Sequence, residues 1–169
     1  MMRTVFTKIS CDQFKAVMRR FAANVNVITS ADGALLNGMT ATAVCSVTAE
    51  PPSVLVIVNK TNRSHPIIKK SGAFAINVLS LAQQDMARHF ASRISDPFSA
   101  IKFSIGKTGC PIIAGSDAYV ECVVIKEVEL GTHTIFVGEV VASDLSDGEP
   151  LLYHGGRYRR LGQAQDAFA

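Results

Sequence analysis

The sequence lacks the short motifs that mark most nucleotide-binding and hydrolytic enzymes. It has no G-x-G-x-x-G and no G-x-x-x-x-G-K-[ST], which excludes the two common glycine-rich phosphate loops. It also has no H-E-x-x-H and no G-x-S-x-G, so it carries neither the zinc-protease nor the serine-hydrolase signature. If the chain is an enzyme, its own side chains supply little acid–base or nucleophilic chemistry, and a bound cofactor performs the reaction.

Metal-binding, disulfide and membrane patterns are missing as well. The four cysteines, Cys11, Cys45, Cys110 and Cys122, show no C-x-x-C spacing, and the four histidines lie far apart in the sequence. This pattern favours reduced thiols and predicts no metal site. The N-terminal residues contain no apolar signal core, and no apolar run reaches membrane-spanning length. We therefore expect a cytoplasmic protein with no membrane association.

Charged residues are scarce. Of the 169 residues, 18% are charged and 48% are apolar, and the formal net charge is only +3. A nucleic-acid-binding domain would carry a stronger basic stripe, so we expect no nucleic-acid partner. A small site for an anionic ligand is compatible with this distribution. The apolar excess suggests that part of the surface is buried against a second subunit.

Hydrophobic periodicity predicts about seven strands and two or three helices. Even composition without repeats indicates a single domain over residues 1–169, with an ordered core over about residues 10–161. An N-terminal helix, capped by Ser10 or Asp12, is predicted from four apolar residues at helical spacing: Phe14, Val17, Met18 and Phe21. Further helices are predicted over residues 64–71, ending at Gly72, and over residues 81–92.

The predicted strands are mostly joined by short turns, one of them at residues 31–33. They cover residues 24–30, 38–48, 53–59, 73–80, 118–130 and 133–143, with a short one near residues 101–105. In the long strand, alternation puts Val120, Cys122, Val124, Val128 and Leu130 on one face, and Glu121, Glu127 and Glu129 on the other. This antiparallel order with peripheral helices predicts an α+β, mainly β, antiparallel barrel and not a doubly wound sheet.

One stretch, "NGMTATAVCSVTAEPPSVLVIVNKTNRS" over residues 37–64, has unusual chemistry. Its first half is small and hydroxylated, with no acid or base between Met39 and Ala49. One interpretation is a barrel strand with one solvent-exposed face. The other is a groove that offers backbone N–H groups and hydroxyls to a flat cofactor that carries a phosphate. Its last six residues precede a helix, where backbone N–H groups favour an anion, although an ordinary polar loop fits them too.

Three blocks in this order resemble the short-chain flavin reductases with the flavin-binding split-barrel fold. The blocks are "MTATAVCSVTAEPPSVLVIVNKTNRS", "GAFAINVLSLAQQDMARHFAS" and "GTHTIFVGEV…PLLYHGGRYRRL". The similarity runs from about residue 14 to residue 161. Within this family, the sequence most resembles the branch whose members serve as the reductase component of 4-hydroxyphenylacetate 3-monooxygenase.

The resemblance implies FMN or FAD as the flavin and NADH, or alternatively NADPH, as the hydride donor. It implies flavin contacts at Thr40, Ala41, Thr42, Ala43, Cys45, Ser46, Asn59, Lys60, Thr61, Arg63, Ser64 and Phe90. Among these, Ser64 is expected to cap the helix that follows, and Phe90 fits a plain core position equally well. His133 is the expected catalytic residue at the nicotinamide site. Further NADH contacts are expected at Tyr153, His154, Arg157 and Tyr158, which also fit a solvated C-terminal strand.

The implied activity is an NAD(P)H:flavin oxidoreductase that acts as a homodimer and supplies reduced flavin to a separate monooxygenase. Two alternatives stay open. One is an oxidoreductase of the same barrel that holds its flavin tightly and reduces another acceptor. The other is a flavin-binding carrier or sensor without turnover, which would have no need of His133.

Overall fold

The computed structural model of the chain describes residues 7–162. Within this range there are three α-helices: α1 Cys11–Met18, α2 Ser64–Ser71 and α3 Gln84–Ala91, the last preceded by a 3₁₀ turn at Leu81–Gln83. The strands are β1 Ala23–Asn24, β2 Asn26–Asp32, β3 Leu35–Ala41, β4 Val44–Ala49, β5 Pro52–Asn59, β6 Ala73–Val78, β7 Phe103–Ile105, β8 Pro111–Ile113, β9 Ala118–Leu130, β10 His133–Leu145, β11 Leu152–His154 and β12 Arg157–Arg159.

Seven of these strands form one antiparallel sheet in the order β3-β2-β6-β9-β10-β5-β4. The strands at the two ends of this order, β3 and β4, are consecutive in the chain and are separated only by Thr42 and Ala43. The sheet must therefore curl until its two edge strands, β3 and β4, come close to each other. These strands are not hydrogen-bonded neighbours, so the barrel stays open between them. The backbone N–H of Ile57 donates to the Ala43 carbonyl at 3.2 Å and holds this link. The predicted α+β, mainly β fold with an antiparallel split barrel is confirmed.

The predicted end of α2 and the predicted turn between β2 and β3 are also confirmed, and both depend on glycine. Gly72 ends α2 with a φ of 67°, and Gly33 turns β2 into β3 with a φ of 59°. Residues with a side chain rarely adopt this left-handed conformation, so glycine stops the helix and the strand at these points.

The barrel interior and the space beneath α3 form separate hydrophobic clusters. The barrel cluster is built around Ile28, Val58, Phe74 and Phe136, all with 2% exposure or less. The cluster beneath α3 contains Val25, Val27, Leu79, Ala87, Phe90, Phe98, Ile113 and Leu151. The second cluster fixes α3 against β2 and β3, and this positions the end of the helix beside the site described below.

The N-terminal helix differs from the prediction in what it buries. Ser10 caps it as expected, because the Ser10 hydroxyl accepts from the Gln13 N–H at 3.2 Å and the Gln13 side chain accepts from the Ser10 N–H. The helix ends at Met18, before Phe21, and its apolar side chains stay exposed in the single chain. Helical spacing predicted an apolar face but not what covers it.

Within residues 7–162 no helix is long and apolar enough to cross a membrane.

The predicted two-face alternation of β9 is confirmed at the start of the strand, where Val120, Cys122 and Val124 pack on the barrel cluster, and is wrong at its end. Glu121 is buried, with 2% exposure, and its carboxylate accepts from the backbone N–H and the hydroxyl of Thr108, each at 2.8 Å. A register shift between β9 and β10 at Val137 breaks the two-residue repeat, and Val128 and Leu130 are exposed in the single chain. The irregular segment that covers Glu121 gives no periodic signal in the sequence.

The two buried thiols should be chemically inert while the protein is folded. Burial, aided by neighbouring Glu121, raises the pKa of both Cys110 and Cys122, in the case of Cys122 to about 12. At about pH 8 only about one Cys122 thiol in ten thousand would then be the reactive thiolate. We expect iodoacetamide, followed by mass spectrometry, to modify the exposed Cys11 and to leave Cys110 and Cys122 intact until denaturant is added. Rapid labelling of Cys122 in the folded protein would contradict this packing.

Candidate functional site

A cleft of about 680 Å³ lies where three distant chain segments meet. One wall is residues 37–39 of β3, and a second is the loop that runs from Asn59 at the end of β5 into α2. The third wall is formed by the last residues of α3 and the irregular segment that follows, over residues 90–97. Its volume lies within the range of about 300–1,000 Å³ that ligand pockets usually have.

The loop between β5 and α2 is stabilised by its own side chains. Asn59 Oδ1 accepts from both the N–H and the hydroxyl of Thr61, each at 2.9 Å. Asn62 Oδ1 accepts from the Ser64 N–H at 2.9 Å, and Asn59, Thr61 and Asn62 all line the cleft. The loop therefore presents the beginning of α2, with its partial positive charge, to the cleft.

Ser64 has a different role from the predicted helix cap. The cap position is held by Arg63, without a side-chain hydrogen bond, and Ser64 is the first helical residue and is fully buried. In the orientation that satisfies the Asn37 amide, its oxygen accepts from the Ser64 N–H at 3.2 Å and lies 2.7 Å from the Ser64 hydroxyl. Asn37 thus joins β3 to the start of α2. Sequence reasoning missed Asn37, because its burial, with 7% exposure, depends on Ser64 from a distant part of the sequence.

The segment after α3 is held in place by the side chains of Arg63 and His89. Arg63 Nη1 donates to the Ile94 carbonyl at 2.5 Å, so its guanidinium connects the loop after β5 to this segment. His89 Nε2 lies 2.7 Å from the Pro97 carbonyl. These contacts fix the third wall of the cleft.

Phe90 is both a core residue and part of the cleft. Phe90 is 4% exposed, packs against Phe98 with a centroid distance of 5.2 Å between the rings, and is one of the residues that line the cleft. The ring lies directly over Gly38, where an added Cβ would come within 2.6 Å of Phe90 Cε1. Glycine at position 38 is therefore required by the close approach of this ring to β3.

The stretch from Thr40 to Ser46 continues from the β3 wall of the cleft. The Thr40 hydroxyl donates to the Ala87 carbonyl at 2.6 Å and ties the end of β3 to α3. The link and the edge strand β4 place four predicted contacts on the exposed surface: Thr42, Ala43, Cys45 and Ser46. Among the described residues that line the cleft, none comes from residues 40–46. The structure thus gathers Asn59, Thr61, Arg63 and Phe90 in the cleft and sets the small-residue stretch beside it.

Lys60 is not among the described residues that line the cleft, and its ammonium is paired with a carboxylate. Its ammonium lies 2.9 Å from Glu129 Oε2, and Lys69 lies 3.2 Å from Glu129 Oε1. Hydrogen bonds from Lys60 and then Lys69 lower the pKa of the exposed Glu129 carboxyl. The Lys60 N–H also donates to the Thr132 carbonyl at 2.9 Å. The main contact of Lys60 is therefore with the turn between β9 and β10.

His133 borders the cleft from that same turn. It is the first residue of β10 and pairs directly with Asn59 of β5. Directly opposed residues project to the same face of a sheet, so the imidazole lies beside a residue that lines the cleft. Its Nδ1 is 2.9 Å from the Thr132 hydroxyl, which orients the ring.

The four C-terminal candidates lie on a different sheet, formed by β1, β11 and β12. The rings of Tyr153 and Tyr158 meet at a centroid distance of 5.6 Å, and the Arg88 guanidinium lies 5.7 Å from the Tyr158 centroid. Tyr158 also packs against the cluster beneath α3. The described residues that line the cleft include none of Tyr153, His154, Arg157 and Tyr158. Within residues 7–162 no group of three or more His, Cys, Asp or Glu is placed to hold a metal ion.

Comparison with known proteins gives consistent matches over nearly the whole chain. The family described as "Flavin reductase like domain" matches residues 18–162. The FMN reductase (NADH) of Stutzerimonas stutzeri is 37% identical over 153 residues, covering 89% of this chain and 88% of that protein. The reductase component of 4-nitrophenol 4-monooxygenase/4-nitrocatechol 2-monooxygenase from Rhodococcus opacus is 35% identical over 158 residues, with 94% and 85% covered. The NADH:FAD oxidoreductase of Streptomyces globisporus, solved in complex with NAD and FAD fragments, has 38% identity and a TM-score of 0.85, with 92% of this chain and 94% of that chain covered.

Proposed function

The chain belongs to the flavin reductase-like domain family, and from this premise we propose that it uses NADH to reduce FMN or FAD and supplies the reduced flavin to a separate monooxygenase. It is an oxidoreductase whose relatives are NADH-dependent reductases of FMN and of FAD. When bound, the nicotinamide and the flavin supply the chemistry, which is transfer of a hydride from one ring to the other. The chain's own residues bind the two rings, orient them and exclude water.

The observation that carries this proposal is the cleft that joins the start of α2 to Phe90 and β3. A flavin phosphate suits the loop from Asn59 to Arg63, because helix-terminal N–H groups and a guanidinium meet there. The small-residue stretch beside the cleft lets the backbone approach a flat ring, so we assign the ring to residues 40–46. On this proposal the flavin contacts are Thr40, Ala41, Thr42, Ala43, Cys45, Ser46, Asn59, Lys60, Thr61, Arg63, Ser64 and Phe90. Ser64 is buried, so it contributes through its hydrogen bond with the Asn37 side chain.

The nicotinamide side of the site is assigned to His133. Its position beside Asn59 lets the imidazole border the cleft, where it can orient the carboxamide of NADH or stabilise charge as the hydride arrives. We also assign Tyr153, His154, Arg157 and Tyr158 to NADH binding. The contact between the Tyr153 and Tyr158 rings supports this, since paired aromatic side chains offer a surface on which an adenine can stack.

A homodimer is part of the same proposal. The long strands β9 and β10 expose a row of apolar side chains in the single chain: Val123, Ile125, Val128, Leu130, Val141 and Leu145. An apolar surface of this kind is typical of a subunit interface. The monooxygenase partner is supported by relatives that are reductase components of such systems, one of which acts on nitrophenols. A specific 4-hydroxyphenylacetate system and a cytoplasmic location remain predictions, the latter supported by four free cysteines.

Steady-state NADH oxidation with and without added FMN tests the proposed activity. We expect little turnover of the purified protein alone and strong stimulation by free FMN, because the flavin is a diffusing substrate. Turnover that depends only on flavin retained during purification would favour the tightly bound alternative. An absence of NADH oxidation, with flavin bound, would favour a carrier or sensor.

A further inference from the structure

His65, the second residue of α2, connects this helix to the inner face of β10. Its imidazole is half-buried, and Nε2 lies 2.8 Å from the Thr134 hydroxyl. The ring also packs on Phe136 with a centroid distance of 5.5 Å. Thr134 and Phe136 are both fully buried, and Phe136 belongs to the barrel cluster. His65 is therefore fixed from inside the barrel.

The first turn of α2 is attached to two strands that are not neighbours. Ser64 is bound to Asn37 of β3, and His65 to Thr134 of β10. In the sheet order, β2, β6 and β9 separate these strands on one side, and β4 and β5 separate them on the other. The start of α2 therefore spans the end of the barrel, with a bond to each side. Because the loop before α2 lines the cleft, both bonds also fix that wall.

Thr134 immediately follows His133 in β10. Successive side chains of a strand point to opposite faces, so Thr134 points into the barrel while His133 points to the face that it shares with Asn59. β10 begins at His133, which makes Thr134 its first residue with an inward side chain. The bond to His65 thus anchors the start of the strand, and with it the position of the His133 side chain.

We propose that His65 is a positioning residue for hydride transfer, which holds His133 at a fixed distance from the loop at the start of α2; this inference rests on the proposed function. The loop is the part of the cleft assigned to the flavin phosphate, and His133 is assigned to the nicotinamide. The rate of a reaction between two bound rings depends steeply on their alignment, so a shift of one part against the other lowers it. Without the imidazole, the buried Thr134 hydroxyl would lose this partner, and the start of β10 would shift to find another.

The kinetic test is a double-variant cycle between His65 and His133. We expect His65→Leu to lower kcat/KM for NADH at saturating FMN by about tenfold, through misalignment of the site. In the His133→Ala background the same change should lower it by less than about twofold, because no imidazole is left to position. His65→Gln keeps a polar group at a similar reach and should recover most of the activity.

Thr134→Val removes the other partner of the same bond. It should reproduce the loss caused by His65→Leu, and combining the two changes should add little, because one interaction is removed in each case. Thr48→Val is the matched control, because the Thr48 hydroxyl bonds with the Glu50 backbone in an exposed turn, and it should keep wild-type kinetics. Thermal melting identifies any variant that does not fold. If His65→Leu does not fold, Thr134→Val takes its place in the cycle with His133.

A second measurement does not depend on turnover. In purified protein with isotope-labelled histidine side chains, His65→Leu should shift the NMR signals of the His133 ring. His65→Gln, which also removes the His65 ring but keeps the bond to Thr134, should leave these signals close to their wild-type positions. His133→Ala identifies them among the signals of the four histidines.

Two outcomes would overturn the inference. If the losses from His65→Leu and His133→Ala multiplied in the double variant, His65 would act independently of His133. If the His133 signals stayed unchanged in His65→Leu, or shifted equally in His65→Gln, the bond to Thr134 would not place the imidazole. An absence of NADH oxidation by the wild type would instead contradict the proposed function, and with it the role in hydride transfer, whereas the NMR comparison would still show whether His65 positions His133.

Discussion

Gly38→Ala should lose flavin binding and stability together, because position 38 has no room for a methyl group. An ideal Cβ there would lie 2.6 Å from Phe90 Cε1, 2.7 Å from Phe90 Cδ1 and 3.3 Å from Val27 Cγ1. The backbone of Gly38 is paired with Thr29 of β2, and Phe90 is packed against Phe98, so neither side moves freely. Overpacking of this kind costs about 1–3 kcal/mol. Because Phe90 also lines the cleft, we expect flavin affinity to fall by at least about tenfold, the equivalent of about 1.4 kcal/mol.

Two companion variants separate the ring clash from a general effect of alanine. Gly162→Ala places a methyl group in open space and should leave the free energy of unfolding unchanged. Phe90→Leu combined with Gly38→Ala removes the ring atoms that clash, so the double variant should lose less stability than the sum of the single changes. Urea denaturation and flavin titration measure both quantities. A Gly38→Ala protein with wild-type stability and wild-type flavin affinity would mean that Phe90 does not pack on β3 as described.

Local sequence signals predicted most of the secondary structure but not the way in which the sheet closes. The helix over residues 64–71 and the turn at Gly33 depend on neighbouring residues alone, and both appear as predicted. Closure of the barrel depends on pairing between strands that are distant in the sequence, such as β6 with β9. The buried Glu121 was missed for the same reason, since Thr108 satisfies its carboxylate from an irregular segment.

The candidate site likewise contains residues that local sequence signals predict and residues that depend on partners distant in the sequence. The loop from Asn59 to Arg63 was recognisable as a candidate anion-binding turn, because a buried strand, polar residues and a helix follow one another within a few residues. Asn37 and Gly38 were not recognised, since their partners Ser64 and Phe90 come from elsewhere in the sequence. A glycine inside a strand does indicate close approach of another group, so Gly38 offered a usable signal.

The second large effect is expected at His133, which we assign to the nicotinamide side of the site. His133→Ala should lower kcat/KM for NADH by about a hundredfold, the cost of losing alignment between reacting groups in an enzyme. Flavin affinity should stay within about twofold of the wild type, because His133 does not line the cleft that we assign to the flavin phosphate. Steady-state kinetics with varied NADH at saturating FMN, together with FMN titration, measure the two quantities separately.

Thr132→Ala provides a graded comparison at the same turn. The Thr132 hydroxyl lies 2.9 Å from His133 Nδ1, so its removal frees the imidazole without deleting it. We expect a loss in kcat/KM for NADH of about threefold to tenfold, since one hydrogen bond of about 0.5–1.5 kcal/mol is lost. If His133→Ala weakened FMN binding and left turnover at saturating FMN unchanged, His133 would belong to the flavin site. Equal, small effects of both variants would show that the imidazole neither orients NADH nor stabilises the transferred charge.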